Sequence, residues 1–298
     1  MYPYFDLHCD TLLAAFDKCT NLYDSALYAS LNKIKHIEPY VQVASVWSDC
    51  LLSDDECYLK ALKVISYAQN QNIEITTRLN SKNGVSYILG IEDARLLNND
   101  ISRLDILYLL GIRVLTLNWK DISCIGGGWN TSIGLTDFGK EVVRRCAELK
   151  IIVDLSHCSE KVFYEVIDSS KRLNLSIIAS HSNAYSLHNH KRNLTDEQIK
   201  ALIKQGSLIG ISLVGEHLGL FPTSDTVISH MEHVLSLGGE SSLCLGCDLD
   251  GTDNLPSDIR SIEDVSLLYE KALRYFGDKI TKKIFFDNGF SYFSKHLN

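Results

Sequence analysis

Five residues or short clusters in this chain carry metal-site chemistry, and each ends an apolar run. Tyr4–His8 runs into Cys9-Asp10, Tyr87–Glu92 ends on Glu92, Ile151–Leu155 leads to His157, Ser176–His181 ends on His181, and Leu243–Asp248 ends on Asp248. A lone buried histidine is an ordinary core residue, and a carboxylate at the end of an apolar run is costly without a partner. Together they read as a ligand set. His8 and Asp10, at i and i+2 of a strand, project from one face and form a two-ligand pair. His157 and His181 form a second pair, and Glu92 supplies a carboxylate to bridge them. Imidazole and carboxylate donors suit zinc. Two such ions about 3.5–4 Å apart can share a hydroxide that is nucleophilic near neutral pH. Asp248 is then left as a free carboxylate, suited to take the proton of that water and deliver it to a leaving amine. Asp250, on the same face, reads as structural.

Residues so far apart in sequence meet only if the fold brings strand ends together. Eight apolar segments recur: Tyr4–His8, Val41–Trp47, Tyr87–Glu92, Ile112–Leu117, Ile151–Leu155, Ser176–His181, Ser207–Leu213 and Leu243–Asp248. They are rich in Val, Ile and Leu and mostly lack alternation, which is how strands buried on both faces read. Helical patterns lie between them. Thr136-Asp137-Phe138-Gly139 opens a stripe of Val142, Val143, Cys146 and Leu149. Thr195 caps a helix carrying Ile199, Leu202 and Ile203, and a third helix runs from Asp225 to about Leu237. This alternation predicts a (β/α)8 TIM-like barrel, whose strand C-termini all open onto one face. A doubly wound sheet is the fallback, but it would place ligands at a single switch point and leave most of these strand ends idle. With 298 residues and no internal repeat or linker, residues 1–298 are expected to form one such domain.

Composition narrows the partners. A net charge of −8 argues against a nucleic-acid or anionic-membrane surface. No apolar run reaches about 18 residues, so no membrane span is expected. Nor does a basic leader precede Tyr4, so a cytoplasmic location with reduced thiols is expected for the nine scattered cysteines. Cys244 and Cys247 sit at i and i+3 of a strand, point to opposite faces and cannot share a metal. The loop Ile125-Gly126-Gly127-Gly128-Trp129-Asn130 reads as the most flexible stretch, either a mobile connection or a lid. His230 and His233 are expected on an outer helix, His188 and His190 in a polar loop. His36, His217 and His296 have no matching partners.

These stretches also match a family from end to end. Asp6-Leu7-His8-Cys9-Asp10-Thr11, Gly90-Ile91-Glu92, Gly111–Leu117 and Gly134-Leu135-Thr136-Asp137-Phe138-Gly139 are followed by Val153-Asp154-Leu155-Ser156-His157, Ala179–Ala184, Arg192–Asp196 and Gly246–Gly251. In this order they resemble the membrane (renal-type) dipeptidases, peptidase family M19, of the metal-dependent amidohydrolase superfamily. The resemblance implies two zinc ions per chain, held by His8 and Asp10, by His157 and His181, and bridged by Glu92, with Asp248 as catalytic acid/base. It also implies that Arg192 grips the substrate's terminal carboxylate and that Ile280–Phe293 forms the final helix. Where the animal enzymes place a histidine against the substrate carbonyl, this chain reads Leu117-Asn118-Trp119-Lys120, so Trp119 and Asn118 are expected there. The implied substrate is a small dipeptide, L,D pairs included. A related dinuclear amidohydrolase acting on another amide, lactam or ester is the alternative, and a homodimer is left open. A non-catalytic metal scaffold would predict a broken ligand set, and none is seen.

Overall fold

Apolar strands need cover on both faces, and a closed barrel inside a ring of helices provides it. The computed structural model describes residues 2–79 and 84–297. Its strands are β1 (Tyr2–Cys9), β2 (Ile37–Trp47), β3 (Glu74–Ile75), β4 (Val85–Glu92), β5 (Ile112–Thr116), β6 (Ile152–Asp154), β7 (Ile177–Ala179), β8 (Leu208–Ile211) and β9 (Leu243–Leu245). The order is β2-β1-β9-β8-β7-β6-β5-β4, and a β2–β4 pairing closes the ring. All its pairings are parallel. The two-residue β3 lies beside β4 outside the ring. This is the (β/α)8 barrel the alternation predicts.

Helices start where capping side chains satisfy the free N–H groups of the first turn. Thr136 accepts from the Gly139 N–H and opens the helix Asp137–Leu149, which buries Val142, Val143 and Cys146. Thr195 and Gln198 form a reciprocal capping box at Asp196–Gln205. The expected third helix spans Ser224–Ser236.

Two layers of core result. Phe5, Leu7, Val43, Ile88, Val114 and Ile178 fill the barrel, while Tyr4, Leu89, Leu115 and Val153 face the helices. Cys244 belongs to the interior and Cys247 to the outer layer, on opposite faces as expected. All nine cysteines are free thiols. The C-terminal segment departs from the single helix expected over Ile280–Phe293. A helix Val265–Lys282 leads into a π-helical stretch Lys283–Asp287 and then a helix Asn288–His296. The wider turn lets Phe285 face the outer layer while Phe286, Phe290 and Phe293 plug the barrel. Phe293 meets Phe5 at 5.0 Å between ring centroids. Tyr292 and Asn288 bind the backbone at the starts of β7 and β9, so the plug closes the strands' N-terminal end.

The glycine loop is not the mobile connection it resembles. Gly126, Gly127 and Gly128 are buried. The Gly128 N–H donates to Asp121 at 2.9 Å, and the Gly127 carbonyl accepts from Ser159 at 3.0 Å. The glycines are there for close backbone approach: a Cβ on Gly128 would stand 2.5 Å from the Trp119 carbonyl oxygen and 2.7 Å from that of Lys120. Gly128→Ala is therefore expected to destabilise the chain by about 1–3 kcal/mol, the usual range for forced overpacking. A urea titration measures it, and an unchanged midpoint would mean that the loop yields freely.

Candidate metal centre

The barrel mouth assembles its polar groups by local departures from regular strand. Along β1 the register slips between Asp6, opposite Gln42, and Cys9, opposite Ala44. Three steps on one strand thus match two on the other. The resulting bulge lets Leu7 fill the interior while His8 also turns inward and Cys9 turns out. Asp10 does not sit on the strand as expected. It occupies the N-cap position of helix Thr11–Asp17, yet its Oδ2 still comes within 3.7 Å of His8 Nε2. Glu92 is reached by plain alternation from Ile88 through Gly90. His157 and Asp248 follow β6 and β9 in left-handed backbone, with φ of +66° and +59°. His181 lies just past β7.

Glu92 stands at the centre. Its Oε1 is 2.9 Å from His157 Nε2 and 3.7 Å from His181 Nε2, and its Oε2 is 3.4 Å from His8 Nε2. His157 and His181 bring their Nε2 atoms to 2.7 Å of each other. Asp248 Oδ1 is 3.8 Å from His8 Nε2. Two donor groups follow, His8-Asp10-Glu92 and Glu92-His157-His181, each with ligand atoms within 4.8 Å of one another. These are the two sets read from the sequence, joined through Glu92.

Both sets suit cations. His8 Nε2 and Asp10 Oδ1 are buried without a hydrogen-bond partner, a state that native interiors avoid. Burial, reinforced by the Arg192 charge, holds His157 down to about 4. Burial and the neighbouring histidines hold His181 well below the usual imidazole range. Both are thus neutral, the form a metal needs. Burial works against charge on Glu92, but His8 and His157 outweigh it and keep the carboxyl low. Burial likewise disfavours charge on His8, and Glu92 and Asp10 overcome it, so the ring is raised. Burial, with Asp10 and Glu92 alongside, pushes Asp248 well up. Three carboxylates crowd one point, and positive charge there is favoured.

Above the cluster opens a pocket of about 480 Å³ lined by Glu92, His157, Asp248, Arg192 and Trp119. Arg192 is buried. It donates from Nη2 to the His181 carbonyl at 3.1 Å, its Nε has no partner, and burial lowers it to about 10. It therefore remains charged at neutral pH beside the pocket. Trp119 lies 6.1 Å from the His157 ring between centroids. Asn118, expected beside it, is instead fully buried and does not line the pocket; its Oδ1 receives the Cys158 thiol at 3.7 Å. Asp250 is structural as read, accepting from Tyr28 and Ala29 N–H and the Thr11 hydroxyl. His230 is buried, bonded at both ring nitrogens to backbone. Trp47, Trp129, His190 and His217 also line the pocket and were not singled out for it. His217 is pushed down to about 2 by burial and the nearby Arg192. Only the Trp129 loop gave a sequence signal for this wall.

The family model for membrane dipeptidase, peptidase family M19, matches residues 1–295. This chain belongs to that family. Among curated relatives, Dipeptidase 3 of Macaca fascicularis is 26% identical over 251 residues, covering 77% of this chain and 51% of its own length. The chain spans between 51% and 58% of the length of the curated relatives it matches. The M19 fold is shared with the crystal structure of the dipeptidase AC, a metallopeptidase of family M19, at a TM-score of 0.89, 22% identity and 99% coverage of both chains. A Rhodobacter sphaeroides metallopeptidase, liganded with a phosphinate mimic of the dipeptide L-Ala-D-Ala, aligns at a TM-score of 0.88, also with 22% identity and 99% of both chains covered. No helix among the described residues is long and apolar enough to cross a membrane.

Proposed function

We propose that this chain is a zinc-dependent dipeptidase acting as a single barrel unit on small dipeptides, L,D pairs included. One observation carries the reading: two donor sets sharing Glu92 lie on the floor of a pocket whose wall holds a buried, charged Arg192. His8 and Asp10 would hold one ion and His157 and His181 the other, with Glu92 between, a donor chemistry that suits zinc. Ions bound there would supply Lewis acidity and make an attacking water acidic near neutral pH.

The chain's own residues do the rest. Arg192 offers a planar, charged fork to the C-terminal carboxylate and so orients the dipeptide along the pocket. Trp119 and Trp47, 5.0 Å apart between ring centroids, form an apolar wall beside the reacting bond. Asp248, raised by burial and its carboxylate neighbours, would be ionised by the charge of cations held beside it, and would then accept the proton of the attacking water and return it to the leaving nitrogen. The L,D preference draws support from the ligand of the Rhodobacter neighbour, and a reducing compartment draws support from nine free thiols.

Metal analysis beside a panel of L,L and L,D dipeptides tests the whole. No turnover of either series by metal-loaded protein would end the reading. Glu92→Gln tests the bridge. The variant keeps the shape but loses the charge shared by both sets, and occupancy should fall from about two ions per chain to about one or fewer. Elemental analysis showing full loading would remove Glu92 from that role.

A further inference from the structure

Beneath the cluster lies a second polar layer that the proposed reaction does not use. Asp154, the last residue of β6, is fully buried. With His8 and His181 it forms a third group whose donor atoms converge within 4.8 Å. It has no lone pair left for a cation. Its Oδ1 accepts from the Ser156 and Ser180 N–H groups at 3.0 and 2.8 Å, and its Oδ2 accepts from the Thr116 and Ser180 hydroxyls at 2.7 and 2.6 Å.

Proton accounting then fixes the next link. A serine hydroxyl has one proton and two acceptor sites. Ser180 gives its proton to Asp154, so toward His181 it only accepts. His181 Nδ1 lies 2.7 Å from that oxygen and must carry the hydrogen. His181 Nε2 is left bare and faces Glu92 and His157. The same hydroxyl is 3.4 Å from His8 Nδ1, which Ser45 also reaches at 3.1 Å. The Ser180 backbone packs closely on Gly210 and Gly246, where a Cβ would overlap its carbonyl oxygen.

We propose that Asp154 and Ser180 are a buried positioning pair that sets the tautomer of His181, so that Nε2 meets the cation as a lone pair. Ser180 adds a weaker hold on His8, which ties the two donor sets together. The inference rests on the metal reading above. Ring hydrogen bonds of this kind typically set ligand affinity by about 10- to 100-fold.

The test combines two measurements. In metal-free wild-type protein, ¹⁵N-histidine NMR should show His181 with its proton on Nδ1; a proton on Nε2 overturns the proposal. In zinc competition titrations, Ser180→Ala and Asp154→Asn should each weaken binding by about 10- to 100-fold. Ser180→Thr, which keeps the hydroxyl, should recover most of it. Ser45→Ala should weaken only the ion at His8. Folded Ser180→Ala with wild-type zinc affinity sinks the inference and leaves the dipeptidase reading standing. If Asp154→Asn does not fold, Ser180→Ala and the wild-type spectrum still decide. Wild-type protein that takes up no zinc would end the metal reading, and the tautomer measurement on metal-free protein would then judge the pair by itself.

Discussion

Asp248→Asn is expected to keep its metals and lose turnover by about 10²- to 10⁴-fold, the range for removing a positioned general acid or base. Asp248 belongs to neither donor set, so occupancy should not change. Its backbone sits at φ +59°, a conformation asparagine tolerates as well as aspartate does, so folding is preserved. Only the ability to take and return a proton is removed. Steady-state rates on a dipeptide, paired with metal analysis, check it. Near-normal turnover would take the acid/base role away from Asp248.

Arg192→Ala should impair free dipeptides far more than their C-terminal amides. The difference should be on the order of 1.5–3 kcal/mol, the worth of hydrogen bonds to a charged partner, or about 10- to 150-fold in kcat/KM. Truncation also removes the Arg192 bond to the His181 carbonyl. That damage falls equally on both substrates and cancels in the ratio. Arg192→Lys should restore part of the discrimination, since an ammonium cannot form the paired bonds of a guanidinium. Equal losses on acid and amide, or a wild type indifferent to the two, would move the assignment to an amidohydrolase of another amide, lactam or ester.

Much of the candidate metal centre is legible in sequence because its residues end short apolar runs. Glu92 follows two-residue alternation without interruption, so its direction could be read. His157 and His181 stood out as polar residues closing strands otherwise buried on both faces. His8 and Asp10 do approach each other, but not as two alternate positions of one strand, since the β1 bulge and the helix N-cap that bring them together depend on pairing with β2 and on the chain beyond. The pocket's outer wall was the least legible part. Trp47, His190 and His217 come from a strand end, a loop and the one-turn helix Gly215–Leu218, whose placement is decided by long-range packing, and nothing local marks them. Asn118 and Trp119 are neighbours in sequence, yet one is buried behind the wall and the other forms it. The glycine triplet misled because glycine signals conformational freedom and close approach alike, and only the Trp119 and Lys120 backbones tell them apart.

The left-handed turn at His157 has an evolutionary consequence. Asparagine, aspartate and histidine visit that region more readily than other side chains, but glycine does so without the penalty on the order of 1 kcal/mol that a Cβ carries there. Selection for stability alone would trade the histidine for glycine. If the ring holds a cation, as proposed, that demand keeps the histidine in place against the backbone's own preference. A glycine at position 157 would then be expected to leave the barrel folded and the second donor set one ligand short, since the plug where Phe5 meets Phe293 lies at the opposite end of the strands.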